Sequence, residues 1–261
     1  RAIFESPTVT GLAALVSDAP SADSAVGARP ALRAQARPEH IPLSLAQQRM
    51  WFINRFDPAS PAYNVPLVVT LTGSLDVNAL VSAVSDLLER HEALRTTFPS
   101  TDDLPEQRIH AASDVVPDVE VTTVRQDDLL DTVGGFASRG FDVTAEIPIR
   151  LAVYRVEDAP ETTHVLAVVV HHIAADGASM APLARDVMIA YSARTADAAP
   201  LWQPLAVQYA DYTLWQRSLL GEESDRDSLA GRQLDFWTTS LRGVPDLLPL
   251  PTDRHRPTTQ D

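Results

Sequence analysis

The 261-residue chain contains no cysteine. That absence excludes a thiol nucleophile, a disulfide framework and any cysteine-ligated zinc site, while leaving the redox compartment open. Positive charge is scarce: 21 Lys and Arg face 35 Asp and Glu, for a formal net charge of −14. Such a surface repels phosphate backbones and anionic headgroups, so neither nucleic acid nor a membrane is an expected partner. No apolar run approaches the ~18 residues that a spanning helix needs. The N-terminus also lacks a basic segment followed by an apolar one. With neither an export nor a spanning signal in view, cytoplasmic localisation is the default expectation. What is present is an apolar content of 45%, enough for a sizeable core in one large domain or two small ones.

The first sixteen residues predict a short helix. Ser6 suits an N-cap and Pro7 the first helical position, and Val9, Leu12, Ala13 and Val16 share one face. Residues 17–40 are rich in Ala, Ser, Pro and Arg, with only Val26 and Leu32 as large aliphatics. Too little apolar surface is available there to offset the entropy of ordering, so a linker is expected and the main domain begins near Ile41. From there the pattern is mixed α/β. Residues 66–73 predict a strand, and Asp76 predicts a cap for a helix striped by Val77, Leu80, Val81, Val84, Leu87 and Leu88. A hairpin is expected around the acidic turn at 99–105, and strands at 119–124 and 149–156 bracket a helix at 127–139. The almost wholly aliphatic run 165–170 predicts a central strand covered on both faces. Helices follow at 178–194, 207–220 and 227–241, then a Pro-rich polar connector.

That aliphatic run ends in His171 and His172, followed by Asp176 and Gly177. Neighbouring strand residues face opposite sides, so one histidine belongs in the core and the other can face a cleft at the strand's end. Both could be structural, since histidine is often partly buried. A metal site formed with Asp176 is disfavoured by the opposed directions and by the lack of a third His or Glu at ligand spacing. In a catalytic reading one imidazole handles a proton near neutral pH. Gly177 permits a backbone conformation closed to other residues or a close approach, and Pro182 suits the first turn of the next helix. The stretch "GASMA" resembles a degenerate nucleophile elbow around Ser179, but the strand does not run directly into its glycine, as an elbow requires.

"HHIAADG" (171–177) matches the HHxxxDG signature of condensation domains from nonribosomal peptide synthetases. Three further stretches resemble family motifs in the family's order: "SLAQQRMWF" (44–52), "RHEALRTTF" (90–98) and "YADYTLWQR" (209–217). "FESPTVTGLAALV" (4–16) is similar to the last helix of a peptidyl carrier domain. The resemblance covers nearly the whole chain outside the linker. It implies an α/β, chloramphenicol acetyltransferase-like two-layer sandwich, one lobe of a V-shaped pair. The implied division is a carrier tail at 1–16, a linker at 17–40, the N-terminal lobe at 41–248 and a connector toward a C-terminal lobe at 249–261.

The implied reaction is amide formation between a donor and an acceptor thioester. No cofactor is bound directly; substrates arrive on the 4'-phosphopantetheine arms of upstream and downstream carrier domains, which with the C-terminal lobe are the expected partners. His172 is implied to face the substrates as general base or as a hydrogen-bond acceptor for the amine. His171, Asp176, Gly177, Arg95 and Arg90 are supporting residues. Family practice pairs Asp176 with an arginine, and Arg95 is the match; losing one partner of such a buried pair costs ~3–5 kcal/mol. Gly177 could also place its N–H near the thioester. Arg90, His91 and Glu92 read otherwise as a solvated helix end, and Trp51, Tyr209, Trp215 and Trp237 as packing residues. The heterocyclisation subtype lacks this histidine motif. The epimerisation subtype usually has tryptophan where Met180 stands, and the first motif resembles the type joining L-configured donors and acceptors. The alternatives are a carrier-docking lobe inactive in isolation, an epimerisation-type domain, and a stand-alone acyltransferase or hydrolase using His172 or Ser179.

Overall fold

One strand with a nearly unbroken aliphatic run, residues 165–170, sits inside the main sheet. In the computed structural model, which describes Ser6, residues 8–18, 29–101, 104–159 and 161–245, and Pro251, Asp253 and Arg254, the elements in chain order are as follows. They are α1 (Val9–Asp18), β1 (Ile41–Pro42), α2 (Leu45–Phe56), β2 (Asn64–Thr72), α3 (Val77–Arg90), β3 (Thr96–Thr97), β4 (Ser100–Thr101), β5 (Leu104–Ile109), β6 (Val119–Val124) and α4 (Leu129–Ala137). After these come β7 (Ile149–Val156), β8 (Thr163–His171), α5 (Gly177–Arg194), α6 (Tyr209–Leu220) and α7 (Leu229–Ser240). The chain divides into two units, Arg1–Gln216 and Arg217–Asp261.

In the first unit the main sheet has the order β2-β8-β7-β6. β8 pairs antiparallel with both neighbours, and β6 runs parallel to β7. Every residue of β8 after Thr163 is buried, as expected for a central strand. Its side chains alternate between two cores. Val165, Ala167 and Val169 join Phe98, Phe136, Phe141 and Leu43 on one face. Leu166, Val168 and Val170 join Leu80, Val84, Leu87, Leu88 and Leu183 of α3 and α5 on the other. The period of two thus gives one strand two partners. A smaller sheet has β5 between β1 and β3, with β4 also paired to β5, and it contains the expected hairpin.

Local chemistry sets the helix starts. Asp76 accepts the Ala79 N–H at 3.0 Å, as its position predicted. For α1 the capping hydroxyl is that of Thr8, which accepts the Gly11 N–H at 3.1 Å, so the helix starts later than a Ser6 cap would place it; Pro7 lies outside the described residues. Pro182 is inside α5, beyond the first turn expected for it. Buried Ser44 caps α2 by accepting the Gln47 N–H at 3.1 Å, while Gln47 Oε1 accepts the Ser44 N–H at 3.0 Å. These reciprocal bonds satisfy two amides that the first helical turn leaves over.

The segment expected as a linker is anchored in its second half. The Trp215 indole donates to Pro30 O at 2.5 Å, Gln35 Nε2 donates to Asp211 O at 3.0 Å, and Arg37 pairs with Glu92 at 2.6 Å and Asp211 at 3.4 Å. Composition counts apolar burial and misses such polar anchoring. Residues 19–28, and most of the expected connector 249–261, lie outside the described residues.

In the second unit, α7 is capped by Ser228, whose Oγ accepts the Gly231 N–H at 2.9 Å. Its Trp237, expected as a packing residue, is 56% exposed and makes an edge contact with Phe236 at 5.3 Å.

Candidate functional site

Odd-numbered β8 residues face the Phe98–Phe141 core, and His171 continues that series. It is 1% exposed, with its ring 5.9 Å edge-on from Phe141. Its Nδ1 accepts the Ile173 N–H at 3.1 Å, which leaves the ring proton on Nε2. Burial first, then the neighbouring His172 and Arg150 charges, push its pKa from 6.5 to about 4. His171 is therefore a neutral structural residue at neutral pH.

His172 follows the last strand residue, held by a backbone bond from its N–H to Tyr63 O at 2.8 Å. Its side chain is exposed and borders a cavity of about 200 Å³. Ala46, Gln47 and Met50 of α2 form one part of the wall, and Ile173–Asp176, Ser179 and Tyr209 complete it. The early turns of α2 and α5 both border the space. The turn after β8 separates the two adjacent histidines, sending one into the core and the other to the cavity.

Asp176 is exposed and caps α5. Its Oδ1 accepts the Ser179 N–H at 2.9 Å and the Ser179 hydroxyl at 2.7 Å, while Ser179 Oγ accepts the Asp176 N–H at 3.1 Å. The Ser179 hydroxyl bond, then the backbone N–H, holds the carboxyl below its ordinary range. This corrects the expected pairing with Arg95. The Arg95 guanidinium donates to Leu88 O at 2.8 Å and to His110 O, with Glu92 at 3.9 Å. Asp176 thus braces the site through a helix cap, a bond with a residue three positions away, and not through a buried ion pair.

Arg90 is also remote from the cavity's lining. Its Nε donates to Asp186 at 2.9 Å, its Nη1 to Gln203 O at 2.8 Å, and its guanidinium lies 4.7 Å from the Trp202 ring centre. His91 Nε2 reaches the same Asp186 oxygen at 2.9 Å. Asp186 is 2% exposed. Burial pushes its pKa up, but bonds from His91, Arg90 and Arg185 prevail and hold it low. The expected solvated helix end is an ionic junction between α3 and α5.

Gly177 begins α5 without a positive φ, and an added Cβ would meet nothing within 4 Å. Neither special backbone freedom nor close packing requires a glycine there. Gly140 is one position with such a need, since a Cβ there would collide with Pro58 O. Ser179 sits in the first turn of α5 and donates to Asp176, so it lacks the strand-to-nucleophile turn of an elbow.

Tyr209, read from sequence as a packing residue, lines the cavity with its hydroxyl 3.0 Å from Ser44 Oγ. Gln47 and Met50 were missed as wall residues; the S-x-x-Q spacing that starts α2 was the available signal. Trp51 packs as expected, donating to Phe98 O at 2.7 Å. Among the described residues no group of three His, Asp or Glu could hold a metal, and no helix is long and apolar enough to cross a membrane. An exposed imidazole at a mostly apolar cavity can accept a proton or receive a hydrogen bond from an amine.

A family model described as "Condensation domain" matches residues 37–261. A dimodular nonribosomal peptide synthase of Bacillus subtilis (strain 168) is 45% identical over 255 residues, covering 98% of this chain and 10% of the relative. The X-domain in its complex with OxyB from teicoplanin biosynthesis superposes with a TM-score of 0.79 at 40% identity, covering 90% of this chain and 50% of that one. The starter condensation domain of rhizomide synthetase RzmA shares the fold, with a TM-score of 0.64 at 18% identity over 80% of this chain and 49% of that one. The chain therefore spans a tenth of the curated relative and about half of each solved chain. With this family match and a mixed α/β architecture like the condensation-type structures at the size of one lobe, the chain belongs to the condensation-domain family.

Proposed function

We propose that the chain is the N-terminal lobe of a condensation domain that forms amide bonds in nonribosomal peptide synthesis, preceded at 1–16 by the tail of a carrier domain. Donor and acceptor thioesters arrive on the phosphopantetheine arms of upstream and downstream carriers, and a C-terminal lobe closes the site. The acceptor amine attacks the donor carbonyl carbon, a C–N bond forms, the C–S bond breaks, and the leaving thiolate takes up the proton lost by nitrogen. His172 accepts that proton or orients the neutral amine. Because a thioester is already activated, holding the two arms together supplies much of the acceleration. The L-donor, L-acceptor subtype is part of this reading. The observation that carries it is the division of the histidine pair, with His171 enclosed and His172 at the cavity.

The test uses the complete two-lobed domain with loaded donor and acceptor carriers, following the amide product by mass spectrometry. Amide from the wild-type domain and a loss of ~10²–10⁴-fold in a folded His172→Ala variant is the expected result. Unimpaired condensation in that variant removes His172 from the chemistry.

The higher similarity to the X-domain, whose structure was solved with OxyB, favours a second reading as a docking module. In that case the complete domain binds its partner protein and forms no amide.

A further inference from the structure

We infer that the Tyr209 hydroxyl donates a hydrogen bond to the carbonyl oxygen of the acyl thioester held in the His172 cavity. This inference rests on the condensation reading. It starts from the hydrogen inventory of two neighbouring hydroxyls. Each has one hydrogen to donate and lone pairs to accept. Ser44 is fully buried, and its Oγ already accepts the Gln47 N–H. Among the described residues, the partner left for its hydrogen is Tyr209 Oη, 3.0 Å away. Were Tyr209 the donor, the Ser44 hydrogen would be enclosed without an acceptor, an arrangement that buried polar groups avoid. Ser44 therefore donates, and Tyr209 Oη accepts.

The hydrogen of Tyr209 is then uncommitted. Its hydroxyl bonds with no other described residue, and the side chain lines the cavity that His172 borders. Burial pushes the phenol pKa up, the Ser44 bond opposes this, and the Tyr212 and Asp176 charges add to the rise. The phenol thus stays protonated at neutral pH and remains a donor.

Among the other polar side chains of the wall, the Gln47 amide, whose Oε1 accepts the Ser44 N–H, is the competing donor. The Asp176 carboxylate would repel negative charge on oxygen, and the Ser179 hydroxyl is spent on Asp176. His172 serves the amine. Gly177, the family-based candidate for a donor near the thioester, is not among the cavity-lining residues. When nitrogen attacks the carbonyl carbon, the C=O π pair moves to oxygen, where the Tyr209 O–H stabilises it. On collapse that pair re-forms the carbonyl and expels the thiolate. The amine proton passes to His172 and then to sulfur, and the tyrosine keeps its own.

The test is a single-turnover assay on the complete two-lobed domain with saturating loaded carriers. Tyr209→Phe is expected to slow amide formation by ~10²-fold, the usual effect of losing one such donor. Carrier binding and the pH dependence of the rate should stay as in wild type, while the melting temperature falls because the enclosed Ser44 hydroxyl loses its acceptor. The Ser44→Ala/Tyr209→Phe pair of substitutions strands no hydroxyl hydrogen, and it should show the same loss. Ser44→Ala alone keeps the phenol and should lose much less. Wild-type rates in both Phe-bearing variants overturn the assignment. So does a rate loss in Gln47→Met, the neighbouring amide donor, with none in Tyr209→Phe. No amide from the wild-type domain overturns the condensation reading as well, so the two failures are distinguishable.

Discussion

Two identical side chains, one residue apart, meet opposite surroundings, and the enclosed one carries a pH consequence. His171 is neutral in the folded state with a pKa near 4, against 6.5 in the open chain. On acidification the unfolded state gains the proton first. Its contribution to stability is therefore complete above about pH 6.5 and is lost as the pH falls toward 4. The shift corresponds to about 3 kcal/mol. Urea unfolding at a series of pH values should show this loss, and a His171→Asn variant should lose less stability over the same interval. Equal slopes in the two proteins would count against the neutral, enclosed imidazole.

Asp176 supports a second residue-scale prediction. As a helix cap it should be replaceable by asparagine at little cost, whereas Asp176→Ala should lose about 1 kcal/mol. An ion pair of the kind implied by the family would have cost several times more and would not have tolerated asparagine. Denaturant unfolding of the two variants separates these cases. Retained amide formation in Asp176→Asn would show that its charge is not needed for the chemistry.

At the scale of elements, α3 and α5 are joined by polar contacts at the edge of an apolar interface. Leu80, Val84, Leu87, Leu88 and Leu183 supply the apolar part. Asp186 of α5 takes Arg90 and His91 at the end of α3, and Asp86 of α3 takes the Nε and Nη2 of Arg194. The chain has no lysine, so these contacts rest on guanidinium forks, whose planar donors a point-charge ammonium cannot reproduce. Arg90→Ala would leave the enclosed Asp186 with Arg185 and His91 alone and should cost about 1–3 kcal/mol by denaturant unfolding. Arg90→Lys should recover only part of that. The stripe of α3 was legible because it is a local pattern. The junction was not, because Arg90 and Asp186 are far apart in sequence and nothing local pairs them.

At the scale of the molecule, the anchored segment 30–37 changes how the first unit is bounded. Arg37 bonds two carboxylates, Glu92 beside the end of α3 and Asp211 in α6. Asp211 is 2% exposed and also accepts the Gln208 N–H at 2.8 Å. Arg37→Ala should remove about 1 kcal/mol, because the guanidinium is partly solvated. For a chain of this size that corresponds to a melting temperature lower by ~2–4 °C. Limited proteolysis should then cleave before Pro38 faster than in the wild-type chain. An unchanged melting temperature and cleavage rate would mean that the segment contributes nothing to the first unit's stability.

Sequence alone determined the strand and helix pattern, the buried middle strand and the position of the histidine pair, because each depends on residues close together in the chain. Strand alternation also led to the expectation that the two histidines part, and the turn after β8 is what parts them. Tertiary structure decided what each residue then met. It placed Tyr209 at the cavity wall beside Ser44, far away in sequence, and gave Arg90 the enclosed carboxylate of Asp186. It committed Arg95 to backbone carbonyls and left Asp176 to cap its own helix. The physical reason is range: periodicity and capping are local and can be read along the chain, whereas a hydroxyl's acceptor or a guanidinium's partner is chosen by whichever distant segment packs against it.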